Sequence, residues 1–140
     1  MEEILAELKT GITGRAEDEV TEIRTAAYMG SGGLRVYATP RMTAMMEFTA
    51  WSSVEPFMEE GMGTVGTRLE VSHLAASPVG AHITYESVLT EIDRRRLVFS
   101  VKAYDDAGLI GEGLHERFII DNSKFMKKTE SKLEKSSDGK

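Results

Sequence analysis

The sequence predicts an α+β fold in which one long apolar helix lies against an antiparallel β-sheet. Three observations predict it. A Thr39-Pro40 pair opens a methionine-rich run with helical spacing. Segments after that run show the two-residue alternation of strands, clearest between Leu97 and Ala103. Mostly short turns join those segments, and short turns force antiparallel neighbours. A helix on one such sheet is a two-layer solution. One sheet covers the helix on one side only, so the remaining apolar surface predicts a dimer with two-fold symmetry.

Residues 13–28 mix Val20 and Ile23 with Thr and Glu, compatible with an early strand, and Met29 to Gly33 (MGSGG) breaks it. Thr39 is a good N-cap and Pro40 suits the first helical position, where a missing N–H costs nothing. Met42, Met45, Met46, Thr49, Ser53, Val54 and Phe57 then recur at helical spacing until Gly61 and Gly63. In Thr64–Leu74, alternation groups Val65, Thr67, Leu69, Val71 and His73 on one face and Gly66, Arg68, Glu70 and Ser72 on the other. Ser77 to Gly80 reads as a loop and residues 82–92 as a strand. Asp93-Arg94-Arg95 turns the chain into a strand carrying Leu97, Phe99, Val101 and Ala103. Asp105 to Gly108 turns it again into a last strand, Leu109 to Ile120. With no internal repeat and no linker, residues 1–140 read as a single domain with its core at about 13–120 and a C-terminal helix or tail over 121–140.

Composition narrows the function. At 140 residues, with 41% hydrophobic and 29% charged, the chain suits an ordinary soluble domain. The absence of cysteine excludes disulfides, thiolate metal sites and a cysteine nucleophile. The start, MEEILAELK, is acidic and does not read as a secretory signal, and no window approaches the roughly 20 apolar residues that cross a bilayer. A cytoplasmic location without membrane attachment is expected. The net charge of −6 argues against nucleic acid as a partner. Arg94, Arg95 and Arg96 form a short basic cluster that reads first as a solvated turn, though an anionic substrate would need such a patch.

Three residues stand out as chemistry. Glu47 interrupts an apolar run between Met45, Met46 and Phe48. As a lone helical Glu it reads as the solvent face; if enclosed, it is a desolvated carboxylate suited to base or nucleophile work. His73 shares the apolar face of its strand, either as a core histidine or as the acid/base partner of an inward glutamate. Thr39 caps the helix, whose N-terminal N–H groups also suit a developing oxyanion. Thr39 and Glu47 are about 12 Å apart along a helix and within a quarter turn, so both are expected to border one cleft. His82 opens a strand beside a loop and His115 lies between glutamates; both are weaker candidates. No HExxH, CxxC, P-loop or GxSxG pattern occurs, so neither a metal, another cofactor nor a serine triad is expected.

VYATPRMTAMMEFTA (36–50), TVGTRLEVSHLAASPVG (64–80) and GEGLHERFII (111–120) together resemble the fluoroacetyl-CoA thioesterase-like family of the hot-dog superfamily, over about Val36 to Ile120. The resemblance implies a helix wrapped by a sheet, a homodimer with a dimer of dimers also open, and an active site at the dimer interface. It places Thr39, Glu47 and His73 on the family's catalytic threonine, glutamate and histidine, with Gly66 and Arg117 beside the substrate. The implied reaction is hydrolysis of an acyl-CoA or similar thioester, with Glu47 attacking the carbonyl or activating water with His73. The alternatives are a non-catalytic acyl-CoA or small-ligand binding module and a structural dimerisation domain. In one respect the chain departs from the family. Gly30 and Gly33 stand where lid phenylalanines would close over a fluoroacetyl group, so a different acyl group, larger or more polar, is expected.

Overall fold

A computed structural model describes residues 7–138 of the chain. Most of the N-terminal stretch read above for a secretory signal, residues 1–6, lies outside the described residues. In chain order the elements are β1 (Thr13–Glu19), a 3-10 turn at Glu22–Arg24, one helical turn α1 (Ala26–Met29) and the long helix α2 (Thr39–Val54). A second 3-10 turn, Glu55–Phe57, leads into β2 (Met62–His73). Strands β3 (His82–Asp93), β4 (Arg96–Asp105) and β5 (Gly108–Asp121) follow, and α3 (Asn122–Asp138) ends the order. The five strands form one sheet in the order β1-β3-β4-β5-β2, every pair antiparallel.

The core lies between α2 and the concave face of this sheet. Met42, Met46, Thr49, Ala50 and Val54 form the buried stripe of α2. They pack with Ile83, Tyr85 and Leu89 of β3, Leu97, Phe99 and Val101 of β4, and Ile110 of β5. The alternation expected in β4 is present: Leu97, Phe99, Val101 and Ala103 are all buried. The opposite side of α2 is uncovered, with Ala44, Phe48 and Trp51 exposed.

Two boundaries differ from those expected. The early strand stops at Glu19 rather than running towards residue 28, because Val20 and Ile23 do not share a face: Val20 is fully buried and Ile23 is 58% exposed. The Thr25 hydroxyl caps α1 by accepting from the Tyr28 N–H, and Gly30, at φ 79°, ends it. The long helix closes as an α-helix at Val54, not Phe57. Pro56 has no N–H, so the α-helical hydrogen-bond ladder cannot continue through it and the chain closes in a 3-10 turn.

Candidate active site

Thr39 is the first helical residue, not the cap. Ala38 occupies the cap position with extended backbone angles and no side-chain hydrogen bond, and Pro40 follows at the second position. The threonine hydroxyl is therefore free for another partner, and it meets His73 Nδ1 at 2.7 Å. Among the described residues, the other ring nitrogen of His73 is buried without a hydrogen bond. Burial lowers the pKa of His73, and the nearby Ala75 backbone opposes this only in part. The pair opens onto a cleft of about 270 Å³ bordered by Ala26, Ser31, Val36 and Ala75.

The start of the helix is fixed from below. Asp18 of β1 receives both Arg41 nitrogens, Nε at 2.8 Å and Nη2 at 3.0 Å. Arg24 Nη1 adds a contact at 2.7 Å and the Tyr37 hydroxyl another at 2.6 Å. Because a carboxylate only accepts, Tyr37 gives its proton to Asp18, and Tyr85 must donate the 2.6 Å bond between the two tyrosines. Burial would raise the pKa of Asp18, but the bonds from Arg41 and Tyr37 outweigh it and hold the carboxyl below its ordinary value. The strap before α2 is thus bolted to the sheet two residues from Thr39, and the Tyr37 N–H adds a bond of 2.8 Å to the Ser77 carbonyl.

Two turns further along α2, Glu47 belongs to a second cluster. A Cβ added to Gly66 would stand 2.9 Å from Glu47 Oε2, 3.2 Å from His115 Cε1 and 3.3 Å from Arg117 Nη1. Three polar side chains therefore converge over a backbone position that only glycine leaves open. Arg117 is buried and fully anchored: Nε donates to Thr64 Oγ1 at 2.8 Å, Nη2 to the Thr64 carbonyl at 2.9 Å, and Nη1 approaches His115 Nε2 at 3.1 Å. His115 Nδ1 lies 2.8 Å from the Arg68 carbonyl. That carbonyl can only accept, so Nδ1 carries the proton and Nε2 is the acceptor for Arg117. His115 is 1% exposed, and desolvation, reinforced by Arg117, pushes its pKa down. Burial also lowers the pKa of Arg117, and Glu47 and Glu55 oppose this only in part. Glu47, Gly66, Thr64 and Arg117 line a cleft of about 420 Å³ together with Ala44, Phe48, Trp51 and Val65.

The structure thus joins Thr39 to His73, and Glu47 to Gly66 and Arg117, but leaves the two groups apart within one chain. His73 and Gly66 are seven residues apart on β2, about 23 Å at strand rise. The two faces expected for this strand are also redrawn. A bulge between Gly66 and Arg68 gives the strand one residue more than its partner. Gly66 therefore faces the helix with Leu69, Val71 and His73 instead of sharing the outer face with Arg68, Glu70 and Ser72. His115, a weaker candidate by sequence, is buried within the Glu47 cluster. Its flanking glutamates point to the other face, where Glu116 holds Arg96 at 2.7 Å and Thr67 at 2.7 Å. The signal lies in the alternation of Gly111, Gly113, His115 and Arg117. Among the described residues, no group of three or more histidine or acidic side chains is placed to hold a metal ion, and no helix is long and apolar enough to cross a membrane.

Comparison with known proteins adds the following. The sequence profile described as FlK, fluoroacetyl-CoA-specific thioesterase, matches residues 20–123. The chain is 38% identical over 97 residues to the fluoroacetyl-CoA thioesterase of Streptantibioticus cattleyicolor, spanning 69% of this chain and 70% of that protein. A solved structure of the fluoroacetyl-CoA thioesterase FlK superposes with a TM-score of 0.84 at 30% identity, over 91% of this chain and 98% of that one. A thioesterase superfamily member from Thermus thermophilus superposes equally well, with a TM-score of 0.84 at 27% identity, over 99% of this chain and all of that one.

Proposed function

The chain belongs to the fluoroacetyl-CoA thioesterase-like family of hot-dog proteins, and from this premise we propose that it hydrolyses acyl-CoA-type thioesters to a free acid and a thiol. Solved forms of FlK contain fluoroacetate with CoA, or acetyl-CoA. The observation that carries the reading is the convergence of Glu47 Oε2, Arg117 and His115 on Gly66, which sets a carboxylate beside a fixed cation over open backbone. A thioester carbonyl laid on Gly66 meets the carboxylate. In one route Glu47 attacks the carbonyl carbon, the C–S bond breaks, the thiolate leaves and takes a proton, and water then cleaves the acyl–Glu47 anhydride. In the other, Glu47 takes a proton from a water molecule as that water attacks. Transfer of ¹⁸O from labelled water into the Glu47 side chain during turnover marks the first route.

The active unit in this reading is a two-fold homodimer. Strand β2 lies at the sheet edge with twelve residues of backbone, the long kind of edge that natural proteins cover or pair. Antiparallel pairing of β2 with its copy about Glu70, with the bulge residue Thr67 left out of the register, sets His73 opposite Gly66 of the partner subunit. Thr39 and His73 of one protomer then complete the site that Glu47 begins in the other. There they orient the acid, supply the leaving group's proton and present the N–H groups of the helix start to the oxyanion. Release of thiol from an acyl-CoA panel tests the activity, and Glu47→Ala is expected to abolish it. Mixing inactive Glu47→Ala and His73→Ala proteins tests the shared site. Heterodimers then carry one intact site, so about a quarter of wild-type activity returns on two-fold statistics. If the site lies within one chain, mixing restores nothing.

A further inference from the structure

The cleft that holds Glu47 has a second wall with no part in the chemistry described so far. Phe48 and Trp51 stand on the uncovered side of α2, 48% and 37% exposed, with ring centroids 6.0 Å apart and planes inclined at 48°. They sit three positions apart on a helix, on one face with Ala44, and all three border the same cleft as Glu47, Gly66 and Arg117. Large aromatic side chains left in water beside a carboxylate and a buried guanidinium are out of keeping with a helix that otherwise buries its apolar residues. The cleft, about 420 Å³, falls within the range of sites for whole small molecules, and a two-carbon acyl group fills little of it. On the strap that leads to Thr39, a Cβ at Gly30 or Gly33 would meet nothing within 4 Å, so these two positions border open space.

We propose that Phe48 and Trp51 form the shelf for the acyl group, and that the substrate is an aryl-acyl thioester, its ring lying against the two side chains while its carbonyl reaches Gly66. Ala44 leaves room for the ring one turn before the shelf, and the two exposed rings, inclined at 48°, give a third ring aromatic surface to pack against. The proposal rests on the reading of Glu47 as the reacting carboxylate.

Trp51 is the only tryptophan of the chain, so its fluorescence reports the shelf directly. Glu47→Ala protein titrated with phenylacetyl-CoA is expected to show a saturable change in Trp51 emission at concentrations roughly tenfold lower than acetyl-CoA requires, as one added ring contact predicts. In enzymes otherwise wild type, Trp51→Leu and Phe48→Leu should each reduce the ratio of kcat/KM for phenylacetyl-CoA over acetyl-CoA by roughly tenfold. The leucine keeps the site apolar, and size measurement shows whether the dimer persists. Equal response to both thioesters, or an unchanged ratio, overturns the proposal. So does a Trp51→Leu protein that falls to monomers, since the aromatic pair would then belong to the contact between copies. The two readings fail separately. An emission change with phenylacetyl-CoA but no thiol release by wild type upholds the shelf and removes the thioesterase. Turnover of acetyl-CoA without preference for the ring does the reverse.

Discussion

The two polar clusters on α2 are built in opposite ways. Around Gly66 the main groups are over-determined: Arg117 uses Nε, Nη1 and Nη2 on Thr64 and His115, and His115 uses both ring nitrogens. Around Thr39 there is one side-chain bond, to His73, and the far nitrogen of that ring is buried with nothing to bond among the described residues. A buried polar atom left unpaired costs about 1–3 kcal/mol, and such costs persist where function requires them. In our reading, the contrast is that between a finished half-site and an unfinished one carried by the same chain. The finished half fixes charge and the unfinished half waits for a substrate and, in our reading, for the partner subunit.

The sharpest way to break this contrast is at Glu47. If the finished half holds the reacting carboxylate, Glu47→Ala should reduce turnover by about 10²–10⁴-fold, the usual worth of a positioned base. The melting temperature should fall only modestly: no hydrogen bond among the described residues depends on this side chain, but Arg117 loses one of the two carboxylates that oppose its burial cost. Thiol release and calorimetry on the same preparations check both halves of the statement. Turnover within a few fold of wild type would place the chemistry elsewhere.

Gly66→Ala asks how tightly the finished half is set. The new methyl group would enter at 2.9 Å from Glu47 Oε2 and 3.2 Å from His115. Glu47 has room to move into the open cleft, so the expected effect is misplacement rather than unfolding. A shift of about 1 Å costs on the order of 10²-fold in rate. The loss should appear in kcat more than in KM, since the cleft itself remains. A variant that keeps its kcat and only binds weakly would mean that Gly66 shapes the cleft without touching the reacting geometry.

His115 sharpens the comparison further. Its Nδ1-protonated form is the minor tautomer of a free imidazole, so ¹⁵N NMR of the ring should show Nε2 unprotonated at neutral pH. Phenylalanine at this position removes the acceptor for Arg117, and loss of one charge-assisted bond of about 1.5 kcal/mol predicts a decrease near tenfold in kcat. Glutamine at the same position would restore an acceptor in place of Nε2, so His115→Gln should recover most of the activity that His115→Phe loses. Equal defects in both variants would reduce His115 to a packing residue.

The same histidine shows where the sequence was legible and where it was not. The long helix, the strands after it and the inward set of β4 follow from periodicity, because each depends on neighbours in sequence. Thr39, Glu47 and His73 were readable as candidates from their places in the helix and strand patterns, whereas Gly66 and Arg117 entered only through the family resemblance. Three features were not readable. The bulge that turns Gly66 towards Glu47 is one extra residue of β2 in its register with β5, a property of the β2–β5 pair and of neither strand alone. Burial of His115 was masked by Glu112 and Glu116, which point away from it across the strand. The displacement of the helix cap from Thr39 to Ala38 depends on the strap bolted by Asp18, Tyr37 and Arg41, which is long-range packing.

The smallest expected effect is the response to acid. Burial lowers the pKa of both His73 and His115, so each binds its proton less readily in the folded chain than in the unfolded one. Between the folded pKa and the unfolded value of about 6.5, the unfolded state holds more protons, and stability therefore rises with pH. Their contribution is complete above about 6.5 and is lost as pH falls through the folded values. Asp18, whose folded pKa is lowered, acts in a separate window. Its contribution is present above its unfolded value of about 3.9 and disappears only as pH falls further. Unfolding measured from pH 7.5 to 4.5 should thus decline first through the histidines. Replacing either His73 or His115 with phenylalanine should flatten that decline, because burial is the largest cause of both shifts. A decline as steep as that of wild type after both replacements would assign the acid response to other groups.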